Sequence, residues 1–197
     1  MTDETKHKKK SQKLKEKVDA GIAKATEDRG VVIVITGNGK GKSTSGFGTV
    51  TRAVGHGYKA AVAQFIKGQW DCGERDLLES HGVPFYVMNT GFTWETQSRE
   101  VDTQAAEKVW HEIKPYLSDP DYHVVLLDEL TYMLSFGYLD ETEVLEAIAN
   151  RPENQSVVVT GRGAPTALRD MADTVSDIKE VKHAYTQGIM ARKGVDW

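Results

Sequence analysis

The β-branched run Val31-Val-Ile-Val-Ile35 passes directly into Thr36-Gly-Asn-Gly-Lys-Gly-Lys-Ser-Thr44, and this junction constrains the fold more than any other stretch. A continuous apolar run of this length reads as a parallel strand buried on both faces. The glycines that follow let backbone N–H groups turn inward around phosphate oxygens with no Cβ in the way. Gly41-Lys42-Ser43 opens a helix through Val54, so unpaired amides and the positive dipole end point at the same anion. Lys42 is then the residue for the phosphates and Ser43 the hydroxyl for Mg²⁺ (or Mn²⁺). The contacting set is Gly37, Asn38, Gly39, Lys40, Gly41, Lys42, Ser43 and Thr44. The spacing is unusual, because Thr36 stands where the first glycine of an ordinary Walker loop falls and Gly37 comes one residue late. The motif therefore supports nucleotide binding without fixing γ-phosphate chemistry.

At 197 residues, with 39% hydrophobic and 27% charged content, the chain fits one soluble α/β domain. It has no apolar run long enough to span a bilayer and no signal peptide, which makes a cytoplasmic protein without a membrane partner the expectation. Cys72 is the only cysteine, which excludes an internal disulfide and a multi-cysteine metal site. The net charge of −4 hides an asymmetry: residues 1–29 carry nine Lys/Arg against six Asp/Glu, so the remainder carries −7. A body of that charge is not a general nucleic-acid binder. Residues 1–29 thus separate as a lysine-rich segment from a nucleotide-binding domain at 30–197. Residues 1–10 read as a solvated, mobile tail, whereas Leu14, Val18 and Ile22 recur every four residues as a helical stripe able to dock.

Further strands are expected at Lys59 to Ile66, Val83 to Met88, Tyr122 to Leu127, Ser156 to Thr160 and Thr174 to Val181. The helices between them are placed around Glu74 to Ser80, from a cap at Asp102 or Thr103, behind an Asp140/Glu143 capping box, and from Pro165. Alternating strands and helices imply a mostly parallel sheet covered on both faces, with ligands at the carboxyl ends of the strands. The chemically suggestive residues all fall at those ends. Asp128-Glu129, closing an apolar strand, has the Walker B pattern, in which one carboxylate of the pair faces Mg²⁺ directly or through water. Phe92 and Trp94, in Gly-Phe-Thr-Trp-Glu-Thr (91–96), fit either a flat apolar ligand or a core edge or subunit contact. Arg162 and Arg52 are each open between a phosphate contact and a surface role. His56, His81, His111 and His123 lack metal-ligand spacing.

With these blocks in hand, the chain resembles the P-loop-type ATP:corrinoid adenosyltransferases over nearly its full length. The resemblance rests on residues 36–44, Arg-Ala-Val-Gly-His-Gly (52–57), Gln-Phe-Ile-Lys-Gly (64–68), residues 91–96, Leu-Asp-Glu-Leu-Thr-Tyr (127–132) and Thr-Gly-Arg-Gly (160–163). It implies a single-domain RecA-like P-loop fold with ATP lying reversed along the loop. The implied reaction is attack of a cobalt(I) corrinoid on the 5′ carbon of ATP with release of inorganic triphosphate, in adenosylcobalamin biosynthesis or corrinoid salvage. It further implies Phe92 and Trp94 pressing on the lower face of the corrin, residues 1–29 acting as a lid, a homodimer with nucleotide contacts across the interface, and a flavin-dependent reductant protein as partner. Without the resemblance, the residues alone support a Mg-nucleotide enzyme. The rivals are an ATPase or kinase using Glu129 as base, and a nucleotide-dependent corrinoid-binding module without turnover.

Overall fold

The computed structural model describes residues 3–66, 71–89 and 98–197. Helix α1 (Asp3–Ile22) precedes the alternating body: β1 (Val32–Thr36), α2 (Lys42–Gly55), β2 (Lys59–Gln64), α3 (Gly73–Glu79) and β3 (Phe85–Val87). After these come α4 (Arg99–Ile113), a 3₁₀ turn (Lys114–Ser118), β4 (Tyr122–Asp128), α5 (Leu130–Ser135), α6 (Glu141–Ala149), β5 (Ser156–Thr160), α7 (Thr166–Met171) and β6 (Thr174–Asp177). The six strands form one sheet in the order β3-β2-β4-β5-β1-β6, parallel at every pairing. The fold is the α/β, P-loop type with the RecA-like arrangement, in which β5 separates the loop-bearing strand from the strand ending at Asp128.

Period-two alternation divides the strand side chains between two apolar layers. Val32, Val34, Ala61, Ala63, Val125, Leu127, Val157 and Val159 pack with Ile113, Trp110, Leu130, Met133, Ile148 and Leu168. Ile35, Ala60, Val62, Val124, Leu126 and Val158 face Phe47 and Val50 of α2 and Leu78 of α3. Helix α2 lies so close to the sheet that a Cβ on Gly46 would stand 2.7 Å from Leu126 Cδ1. This fixes the start of α2, and with it the loop, against the strand ends. Gln155 ties the opposite edge, its side-chain amide donating to the carbonyls of Tyr116, Asp119 and Tyr122.

Several local expectations are corrected. Residues 3–10 continue the helix rather than forming a tail, because residues 12–17 and most of residues 3–10 are straight-chain residues that lose little freedom in a helix. Its apolar stripe, Leu14, Val18 and Ile22, is 63%, 50% and 66% exposed. Helix α4 starts four residues or more before its expected cap: Ser98 Oγ accepts from the Val101 amide, while Asp102 is buried in the first turn. Asp140 does cap α6 through the Glu143 amide, but the Glu143 carboxylate turns away to accept from Trp110 Nε1 and Lys114 Nζ. Helix α5 was not foreseen, although Leu130, Met133 and Leu134 carry helical spacing. The last strand ends at Asp177, four residues early, because the chain leaves the sheet there to pass beside the loop.

Candidate active site

Parallel register brings five polar strand ends into one row. Gln64 is paired with Asp128, Ile35 with Thr160 and Thr36 with Asp177. The loop between β1 and α2 bends through left-handed conformations at Gly37 (φ 100°) and Gly41 (φ 113°). At Gly41 nothing lies within 4 Å of where a Cβ would be, so the demand there is conformational. At Gly37 and Gly39 the reason differs from the expected one. A Cβ on Gly37 would strike Asp177 Oδ1 and the Ile178 carbonyl, and one on Gly39 would lie 2.7 Å from Ile178 Cγ2. These two glycines make room for the chain leaving β6.

Lys42 opens α2 and is 7% exposed. Its Nζ donates to the Gly39 carbonyl at 2.7 Å, curling the ammonium back over the loop. Burial pushes the Lys42 pKa down, Glu129 pulls it up, Arg162 pushes it down again and Asp128 raises it. Three of the expected site residues thus act on the charge of this one ammonium. Ser43 is half-buried, while Asn38, Lys40 and Thr44 are exposed.

Asp128 is completely buried. Its Oδ2 accepts from Gln64 Nε2 at 3.2 Å, and its Oδ1 accepts from Thr160 Oγ1 at 2.6 Å. The same Thr160 oxygen accepts the Glu129 amide at 3.0 Å. Glu129 has φ 61°, a left-handed conformation unusual for a residue with a side chain, and it is the residue that turns β4 into α5. Thr160 therefore joins the buried carboxylate to the backbone that aims the next one. On the other side, Thr131 Oγ1 donates to the Arg162 carbonyl at 2.7 Å. A Cβ on Gly161, whose φ is 132°, would meet Thr131 Oγ1 and stand 3.1 Å from Glu129 Oε2. The Arg162 turn and the Glu129 carboxylate thus occupy one corner.

Lys42, Asp128, Glu129 and Arg162 come together with the loop. Arg52 does not: it lies in the last turn of α2 and is exposed, about 15 Å along the helix axis from Lys42. Phe92 and Trp94 lie outside the described residues. Three supporting residues were not assigned roles from the sequence, namely Gln64, Thr160 and Thr131. For the first two the available signal was a polar residue closing an otherwise apolar strand.

A family model for the ATP:corrinoid adenosyltransferases BtuR/CobO/CobP matches residues 28–197. The chain is 54% identical over 197 residues to the corrinoid adenosyltransferase of Escherichia coli (strain K12), covering all of both chains. Identity and coverage are the same for the corrinoid adenosyltransferase CobA of Salmonella typhimurium (strain LT2). With the corrinoid adenosyltransferase of Pseudomonas aeruginosa it shares 48% over 193 residues, 97% of this chain and 95% of the relative. A buried lysine opening the helix after the loop, two carboxylates closing β4 and a match along the whole body agree, and this chain belongs to the ATP:corrinoid adenosyltransferase family.

Proposed function

We propose that the loop at residues 37–44 aligns ATP so that its 5′ carbon meets the cobalt(I) of a bound corrinoid. The cobalt electron pair forms the cobalt–carbon bond while the carbon–oxygen bond to the triphosphate breaks, giving an adenosylcorrinoid and inorganic triphosphate. Cobalt is the nucleophile, so the protein needs no general base. Its tasks are alignment and stabilisation of the charge developing on the leaving triphosphate. The observation that carries this reading is Lys42, an ammonium buried at a helix N-terminus between the loop and the Glu129/Arg162 corner. Lys40, the loop amides and Arg162 are assigned to the same anion.

The donor set fits Mg²⁺ or Mn²⁺ held jointly with the substrate. Among the described residues no group of three His, Cys, Asp or Glu forms a protein cage, whereas one or two carboxylates beside substrate phosphates is the usual way Mg²⁺ is bound. Ser43 and Glu129 are the assigned contacts. Asp128 is assigned to act from behind them, since Gln64 and Thr160 already engage both its oxygens. The bound ion supplies neutralisation of phosphate charge.

Phe92 and Trp94 are assigned to the lower face of the corrin, where they displace the axial base and favour four-coordinate cobalt. Exposure of Leu14, Val18 and Ile22 on α1 supports a lid role for residues 1–29. The distance of Arg52 from its own loop supports a homodimer in which it reaches the partner's nucleotide. A flavin-dependent reductant protein supplies the electron, and the protein works in the cytoplasm. No helix among the described residues is long and apolar enough to cross a membrane.

The test is anaerobic incubation with MgATP and chemically reduced cob(I)alamin, identifying both products. Triphosphate with a photolabile adenosylcobalamin supports the proposal. ADP and orthophosphate with unchanged corrinoid would assign the site to hydrolysis, and binding without turnover would assign it to a delivery module.

A further inference from the structure

The chain beyond β6 packs against the phosphate loop. The Ile178 amide donates to the Thr36 carbonyl at 2.8 Å, and the Ile178 carbonyl accepts the Gly39 amide at 2.7 Å. One loop amide is therefore committed to this segment, and Gly37 and Gly39 have no space for a side chain because of it. Further on, Lys40 Nζ lies 2.6 Å from Asp196 Oδ1. The other carboxylate oxygen of Asp196 accepts the Arg192 amide at 2.8 Å, and Lys193 bridges to Asp71 at 3.1 Å. Asp196 is thus fixed by its own turn, with its side chain 26% exposed, while Lys40 sits in the loop at 46%. Lys40, and then the Arg192 amide, hold the Asp196 carboxyl below the usual carboxylate range, so it stays charged.

We propose that residues 178–196 are a strap that sets the phosphate loop, and that Asp196 is a positioning residue acting through Lys40. It holds the Lys40 ammonium beside the loop, yields it to an arriving triphosphate group and takes it back as the triphosphate leaves. The proposal rests on the reading that Lys40 contacts the triphosphate. The exchange runs toward the triphosphate when it is bound, because an exposed ion pair is worth at most about a factor of five in an equilibrium while a triphosphate carries several charges, and the Asp196 pair re-forms once the triphosphate has left. The counterion accordingly weakens triphosphate binding and aids release of that product.

The experiment measures binding of inorganic triphosphate with Mg²⁺ by titration calorimetry, together with its inhibition constant against ATP. Wild type, Asp196→Asn, Asp196→Glu and Lys40→Ala are compared. Asp196→Asn is expected to bind triphosphate about fivefold tighter, with Asp196→Glu returning to within twofold of wild type, and Lys40→Ala is expected to bind about tenfold more weakly. A strap that mattered only for folding would give weaker binding in Asp196→Asn, the opposite sign. Unchanged or weaker binding in Asp196→Asn, with Lys40→Ala impaired, would overturn the counterion role and leave the loop assignment standing. Unchanged binding in Lys40→Ala would overturn the assignment of Lys40 to the triphosphate, and the strap's counterion role with it.

Discussion

Replacing Thr160 by valine keeps the shape of a fully buried side chain and removes one oxygen. That oxygen donates to Asp128 Oδ1 at 2.6 Å and accepts the Glu129 amide at 3.0 Å. Losing a hydrogen bond to a charged group costs about 1.5–3 kcal/mol, and leaving the part-buried Glu129 amide without its acceptor costs up to about 1–3 kcal/mol. The two losses share one hydroxyl and do not simply add, so the expected destabilisation is about 3 kcal/mol. Against a total stability of about 5–15 kcal/mol the variant still folds at 25 °C. Glu129, however, loses the contact that holds its left-handed backbone, a conformation costing about 1 kcal/mol or more. Urea unfolding should show the midpoint falling with the slope unchanged. Adenosyl transfer at 25 °C should fall about tenfold or more, and Thr160→Ser should recover most of both. A Thr160→Val protein within about 1 kcal/mol of wild type, or one fully active despite the loss of stability, would refute the claim that this hydroxyl aims Glu129.

Lys42→Ala should lower turnover by about 10²–10³-fold, the usual cost of removing a group that meets transition-state charge, and a steady-state assay showing normal activity would remove the phosphate loop from the mechanism. Trp94→Ala should impair the reaction started from base-on cob(II)alamin more than that started from prepared cob(I)alamin, whereas equal losses would argue against displacement of the axial base. Asp173 accepts from Arg29 and from the Val32 amide, and these hold its carboxyl down to about 2. Its contribution, about 1 kcal/mol after allowance for solvent exposure, is present above the unfolded value near 3.8 and is lost as pH falls toward 2. Acid unfolding of Asp173→Asn should therefore diverge from wild type above pH 4 and converge with it below pH 2, and a constant difference across that range would exclude the linkage.

The sheet was legible because buried parallel strands write themselves as apolar runs. Val32–Thr36 and Ser156–Thr160 lie within a residue of their expected bounds. Asp128-Glu129 and the loop were legible for the same reason, each being a polar break at the end of such a run. Helix α5 is not legible in the sequence because its six residues give periodicity little room. Gln64 and Thr160 were placed at the right edge without roles, since sequence cannot say which neighbouring strand a residue will face. The strap was hidden more completely. Its contacts join residues 37–40 to residues 177–196, and the glycines that accommodate it look identical to glycines that accommodate a phosphate.

In the proposed function the loop and the carboxylates serve one ligand, and the strand order fits that reading. Parallel neighbours lie about 4.8 Å apart, and β5 stands between β1 and β4. The end of the loop strand is therefore about 10 Å from Asp128, too far for a direct contact and close to the span of a phosphate group with its cation. Thr160, at the end of the intervening strand, is placed to hold the carboxylate pair back from that gap. Gln64 does the same from β2 on the far side of Asp128. Pairing β1 directly with β4 would close the gap and set Lys42 against Asp128 as a simple ion pair. The inserted strand instead keeps the two charges apart, with Asp128 held by Gln64 and Thr160 and Lys42 turned to the Gly39 carbonyl.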